Sequence, residues 1–139
     1  MVSIIEILQG LKTQVLTVCD TVYTQERPAA TDTKLKAFVV VSLPIAFHEE
    51  VIGMVLDWWV HTTVQFEVFV KDKATNANPN QMDIPKTDTL LQDICGLFPM
   101  KVEGESHTYN IVDPDVLYVG RSDDNGFHKT LIQATLNTL

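Results

Sequence analysis

Four histidines and eighteen carboxylates give this 139-residue chain most of its chemical scope. His48-Glu49-Glu50 opens like a metalloprotease helix, but position 52 is Ile, so no second His lies one turn on to share a zinc ion. An acidic pair beside a proline-containing loop reads as solvated surface. His61, His107 and His128 fall singly at the ends of expected strands, without ligand spacing. Asp113-x-Asp115 and Asp123-Asp124-Asn125-Gly126 have the flavour of calcium loops. The EF-hand pattern needs a Glu six residues after its Gly, and position 132 is Ile, so both read as turns. Cys19 and Cys95 have no Cys or His at metal-ligand spacing and sit in apolar periodic stretches, which suits two buried free thiols. Gly104-Glu105-Ser106-His107 is a loop and not a nucleophile elbow, and no phosphate-binding glycine loop occurs. The expectation is therefore no catalytic residue, no cofactor and no metal.

The elements that would position these groups are clearer than the groups. Ser3 and Glu6 have capping-box spacing, and Ile4, Ile5, Leu8, Leu11, Val15, Val18, Cys19 and Val22 follow at threes and fours. That spacing predicts a helix from Ser3 to Val22, which Gly10 weakens by about 1 kcal/mol relative to Ala. Tyr23 to Lys36, with Arg27-Pro28, reads as a loop. Leu35 to Leu43 (LKAFVVVSL) is a continuous β-branched run, as in a strand covered on both faces or one with helix on one side and a subunit contact on the other, and Pro44 ends it. In Ile45 to Trp59, Val51, Val55 and Trp58/Trp59 fit a helical spacing while Ile52, Met54 and Leu56 fit a strand; the segment is read as an extended arm entering a strand. Thr62 to Asp72 alternates strictly, with Val64, Phe66, Val68 and Val70 on one face. Phe69 interrupts the polar face and marks a contact there.

Lys73 to Lys86, rich in Asn and Pro, reads as a long loop. Thr87 or Asp88 is expected to cap a short helix carrying Leu90, Leu91, Ile94, Cys95 and Phe98, stopped by Pro99. Ser106 to Val112 and Val116 to Arg121 flank the turn signal Asp113-Pro114-Asp115. Asn125-Gly126 then leads into a last strand, Phe127 to Leu139. The expected order is α-β-(β)-β-α-β-β-β. Helices and strands do not alternate regularly, so the class is a single α+β domain over residues 1–139, with a mostly antiparallel sheet and both helices on one face.

Composition narrows the partners. With 10 Lys+Arg against 18 Asp+Glu the net charge is −8, which disfavours binding to nucleic acid phosphates or to anionic lipid. The longest apolar runs, Ala37 to Val41 and Val51 to Leu56, fall far short of the roughly 18 residues of a membrane helix. The N-terminus lacks the basic start of a signal peptide, so the chain is expected to be made in a cytosol. Trp58 and Trp59 are adjacent, so in a strand they point to opposite faces, and only one enters a two-layer core easily. The other is either covered by the preceding arm or exposed at an interface, where Trp is enriched.

A capped helix, Arg27-Pro28 in a loop, the strand Phe38 to Pro44, a long excursion, Trp59 before the alternating Val64 to Val70, a short helix and a closing hairpin follow in that order. This succession resembles the tail-terminator and head–tail joining proteins of tailed bacteriophages, over nearly the whole chain and in pattern and length. The resemblance implies helices on one face of an antiparallel sheet and no enzymatic activity or small-molecule substrate. It also implies a homomeric ring, usually a hexamer, that caps the tail tube, meets the head connector and resides in the virion. Phe38, Val40, Trp58, Trp59 and Phe69 are then the candidate interface residues. The excursion departs from the pattern in being unusually apolar (Val51, Ile52, Met54, Val55, Leu56). Two other readings stand beside this one: a small-molecule-binding domain or enzyme using His48, Glu49, Glu50, His107 and His128, and an adaptor domain that dimerises through a strand edge.

Overall fold

A computed structural model describes residues 3–25, 35–43, 49–51, 58–73, 81–105, 107–121 and 126–138, with the backbone alone for 49–51, 58–62 and 118–121. The expectations placed on Arg27-Pro28, His48, Pro44, Ile52 to Leu56, Asn76 to Asn80, Ser106 and Asp123 to Asn125 lie outside the described residues. So do those placed on the Trp58, Trp59 and His61 side chains.

The elements run α1 (Ile4–Val15), β1 (Val22–Thr24), β2 (Ala37–Ser42), β3 (Glu49–Val51), β4 (Trp58–Lys71), α2 (Ile84–Cys95), β5 (Met100–Glu103), β6 (Thr108–Arg121) and β7 (Phe127–Thr138). The sheet order is β1-β2-β4-β7-β6-β5, with β3 paired to the start of β4. β1 is parallel to β2, and every other pair is antiparallel. The class is the expected α+β fold.

β4 and β7 form the spine, in register from His61 opposite Asn137 to Lys71 opposite Phe127. On their helix-facing side Val64, Phe66, Val68 and Val70 meet Ile132, Ala134 and Leu136, all buried. Ile7, Leu8, Leu11 and Val15 of α1 and Leu90, Leu91 and Ile94 of α2 close the same core. Burying this apolar surface is the main drive for folding. A second cluster lies on the opposite face: Phe38, Val40, Phe69 and Phe127, flanked by Tyr23 and Leu35. Phe38 stacks on Phe69 at 4.5 Å between centroids and meets Phe127 edge-on at 5.4 Å. β2 is thus apolar on both faces because each face has its own cluster.

The ends of α1 differ from expectation. Ser3 Oγ accepts from the Glu6 N–H, as a cap should. The Glu6 carboxylate does not return to Ser3. Instead it accepts from the Glu105 N–H in the turn between β5 and β6, while the Ser3 N–H donates to the buried Tyr109 hydroxyl. The helix ends at Val15, not Val22, where a run of Val and Thr disfavours helix and Thr17 Oγ1 bonds back to Gln14 O at 2.6 Å. Cys19 and Val22 are still buried in the main core, Cys19 at the turn that follows α1, where its N–H bonds Val15 O, and Val22 as the first residue of β1. Tyr23 and Thr24 are accordingly strand and not loop.

Three further corrections concern the second half. α2 starts one turn early, capped by Asp83, whose Oδ1 accepts from the Lys86 N–H at 3.2 Å, with Pro85 in its first turn. Met100–Glu103 forms the edge strand β5, which has no counterpart in the expected order, with Met100 and Val102 facing in. Asp113-Pro114-Asp115 does not separate two strands. β6 runs through it, and the register to β7 slips by one residue between Val112 and Asp115, with Asp113 at φ 57°. That is a β-bulge, with its first residue left-handed. The slip switches the inward parity of β6, so Tyr109 and Ile111 face the helices before it and Val116 after it.

Gly10 has a packing reason. A Cβ there would lie 2.5 Å from Val102 Cγ1, so the missing side chain lets α1 settle onto β5.

Candidate functional site

The expected interface residues divide. Phe38, Val40 and Phe69 are almost wholly buried in the chain's own second cluster and present no free surface to a neighbour. Phe69 does explain its break in the polar alternation, since it stacks on Phe38 across the β2–β4 pair. On the same face Lys129 Nζ pairs with Glu67 Oε2 at 3.0 Å and sits 6.0 Å from the Phe69 ring centre, screening the cluster from water. The backbone of Trp58 and Trp59 lies where β3 pairs with β4, beyond the last β4–β7 pair.

His107 and His128, the histidines whose side chains are described, do not converge. His107 leans against the Tyr109 ring at the start of β6. His128 lies at the start of β7, where its Nδ1 bonds Asp72 Oδ1. The two side chains are only 15% and 3% exposed, and Asp72 Oδ2 has no hydrogen-bond partner among the described residues. The Asp72 N–H donates to Gly126 O at 2.8 Å, so the pair ties the end of β4 to the turn entering β7. No group of three metal-ligating side chains comes together among the described residues.

Two surface features have the shape of functional sites, and the sequence motifs pointed to neither. The first is a cleft of about 490 Å³ between the segment following α1, the outer face of α2 and the start of β2. Val18, Cys19, Leu35, Ala37 and Leu90 give it an apolar lining, and Lys36, Lys86, Asp20 and Asp93 supply its charge. Asp20, Asp93 and Lys36 are exposed, whereas Lys86 is half-buried and makes no ion pair among the described residues. Burial pushes the Cys19 thiol above its ordinary value; the Asp20 carboxylate adds to the shift and Lys86 opposes it. The sulfur is therefore a neutral thiol near neutral pH, suited to packing and not to attack.

The second feature is the outer edge of β6. β5 covers only Thr108 to Ile111, so from Val112 to Arg121 no described strand pairs on the side away from β7. Asp113, Asp115 and Leu117 are exposed along it, Leu117 by 48%. The bulge, Pro114 and two carboxylates are devices that keep an open edge from pairing indiscriminately. At the other end of the sheet, β1 is only three residues long.

No protein-family model matches the chain, and no curated protein does. Solved structures match it: one superposes with a TM-score of 0.63 over 97% of this chain and 92% of that chain, at 9% sequence identity. At that identity the likeness shows the fold alone. Among the described residues no helix is long and apolar enough to cross a membrane.

Proposed function

We propose that the chain is a non-enzymatic virion assembly subunit, a tail terminator or head–tail joining protein that works as a homomeric ring between the tail tube and the head connector. The observation that carries this reading is the long open edge of β6. It offers backbone N–H and C=O groups that no described strand pairs, beside an exposed leucine, yet is guarded against random pairing by a bulge and two carboxylates. A subunit that must join its own kind, and nothing else, needs both properties. The closed ring requires a different patch on the far side of each subunit, since a head-to-tail contact repeats until it closes. With a charge of −8 per chain, such a ring carries strong negative charge, which suits a channel through which DNA passes without sticking.

Multi-angle light scattering with negative-stain imaging tests the reading. A ring with a central channel is expected. A two-fold dimer would favour the adaptor reading, in which β6 pairs with its own copy. A strict monomer up to high micromolar concentration would refute both. The cleft favours a second reading, a small-molecule-binding domain, since its volume and its few polar groups fall in the range of ligand pockets. A monomer stabilised against heat by small carboxylates would support it.

A further inference from the structure

The cleft beside α2 is lined by as many carboxylates as ammonium groups, and the helix holds the two signs apart. Lys86, Thr89, Leu90 and Asp93 all line it. Their spacing of three, four and seven residues puts them on one face of α2. Lys86 and Asp93 are two turns apart, about 10.5 Å along the axis at about 1.5 Å per residue. That is beyond the three- and four-residue spacings at which helix side chains pair, and Leu90 lies between them. On the other walls Asp20 follows α1 and Lys36 precedes β2, which adds a second charge of each sign. None of these four side chains makes an ion pair or a hydrogen bond among the described residues. Val18, Leu35 and Ala37 join Leu90 in the apolar lining between the charges.

We propose that the cleft binds a zwitterionic apolar dipeptide, with its carboxylate at Lys86 and its free α-ammonium at Asp93. This rests on the reading of the cleft as a ligand pocket and is independent of the ring. Two lysines and two aspartates sum to no net charge, so neither an anion nor a cation alone is favoured. A ligand with one charge at each end and an apolar body between them satisfies both signs and the lining together. Size selects the dipeptide. A volume of about 490 Å³ is the space of roughly sixteen waters at about 30 Å³ each, which is room for two residues with aliphatic side chains. Two extended residues span about 7 Å, at about 3.3–3.6 Å each, and fit within the roughly 10.5 Å between Lys86 and Asp93. Half-buried Lys86 is screened by water and salt less than exposed Asp93, so the carboxylate end is held more tightly.

Isothermal titration calorimetry on the full chain tests this with leucyl-leucine, its C-terminal amide, its N-acetyl form and seryl-serine. Leucyl-leucine is expected to bind at a single site. The amide lacks the anionic end and should bind about tenfold to a hundredfold more weakly, the range for losing a hydrogen bond to a charged group. The N-acetyl form should bind about twofold to fivefold more weakly, since exposed Asp93 contributes as a surface pair does. Seryl-serine has no apolar body and should not bind measurably. Lys86→Met should remove most of the preference for the acid over the amide and keep the preference for the free amine, and Asp93→Asn should do the reverse. Melting temperatures without ligand should stay near wild type, because neither side chain belongs to the core. If the amide and N-acetyl forms bind as tightly as leucyl-leucine, or if both variants bind it unchanged, the zwitterion site is wrong. If leucyl-leucine does not bind and isocaproate, a simple apolar carboxylate, does, the pocket reading stands and the dipeptide falls. If neither binds at millimolar concentration, the pocket reading and this proposal fall together.

Discussion

Replacing Gly10 with Ala sets two effects of known sign against each other. Gly10 lies within α1, where Ala is favoured by about 1 kcal/mol, so helix propensity alone predicts stabilisation. The packing predicts the reverse. The new Cβ would sit 2.5 Å from Val102 Cγ1 and 3.0 Å from Cγ2, where carbon atoms prefer roughly 3.5–4.0 Å. Val102 is buried, and its branched side chain has little room to turn away. Relieving an overlap of this kind costs about 1–3 kcal/mol. The net expectation is a loss of about 0–2 kcal/mol. Val102→Ala alone removes two buried carbons and leaves a gap, for about 2–3 kcal/mol. In the double variant the methyl introduced by Gly10→Ala occupies that gap and the propensity gain returns, so it should be no less stable than Val102→Ala and more stable by about 1 kcal/mol. Urea unfolding of the four proteins closes the cycle, with an expected favourable coupling of about 1–3 kcal/mol. The reasoning fails if Gly10→Ala stabilises by its full propensity term and the coupling is near zero, because α1 and β5 would then not touch at this point.

Other outcomes follow from the same contacts. Phe66→Ala should cost about 3–5 kcal/mol in chemical denaturation, because the ring is wholly buried in the main core; a change under about 1 kcal/mol would mean that β4 presents its other face. His128→Ala should cost about 3–5 kcal/mol by removing the partner of a carboxylate that is almost fully buried, whereas replacing His128 and Asp72 together with apolar residues should cost much less. A double-variant loss equal to the sum of the two single losses would show that the pair does not interact. Burial raises both thiols, so at pH 8 each should hold less thiolate than a free cysteine. A thiol-reactive dye should label partly exposed Cys95 slowly, and faster as the pH rises above the ordinary thiol range, and buried Cys19 only on unfolding. Rapid labelling of Cys19 in the native protein would contradict its place in the core.

Much of the frame is legible along the chain because alternation is a local signal. Val64 to Val70 and Ile132 to Leu136 mark their buried faces at period two, and Ser3 marks a helix start by the bond it can make to Glu6. β2 reads either as a strand covered on both faces or as one with a subunit contact on one side, and the chain's own two clusters cover both its faces. What lies on each face is a different matter. Phe38, Val40 and Phe69 have the composition of an interface, but they meet Phe127 from far along the sequence and are buried within their own chain. Composition records that a residue needs a cover and is silent on which segment supplies it.

The remaining corrections share that cause. The apolar spacing of Val15, Cys19 and Val22 is kept, yet the helix stops at Val15, since burial constrains where side chains end up and not the backbone that carries them there. Asp113-Pro114-Asp115 has the residues of a turn, but long pairing to β7 on either side makes a bulge the better way to absorb one surplus residue. Local pattern in the amino acids specified the two-layer α+β class, the spine strands and the scarcity of chemical motifs. Long-range pairing set the parity of β6, the uncovered edge and the Lys86 cleft, because each of these depends on which distant segments come to lie side by side.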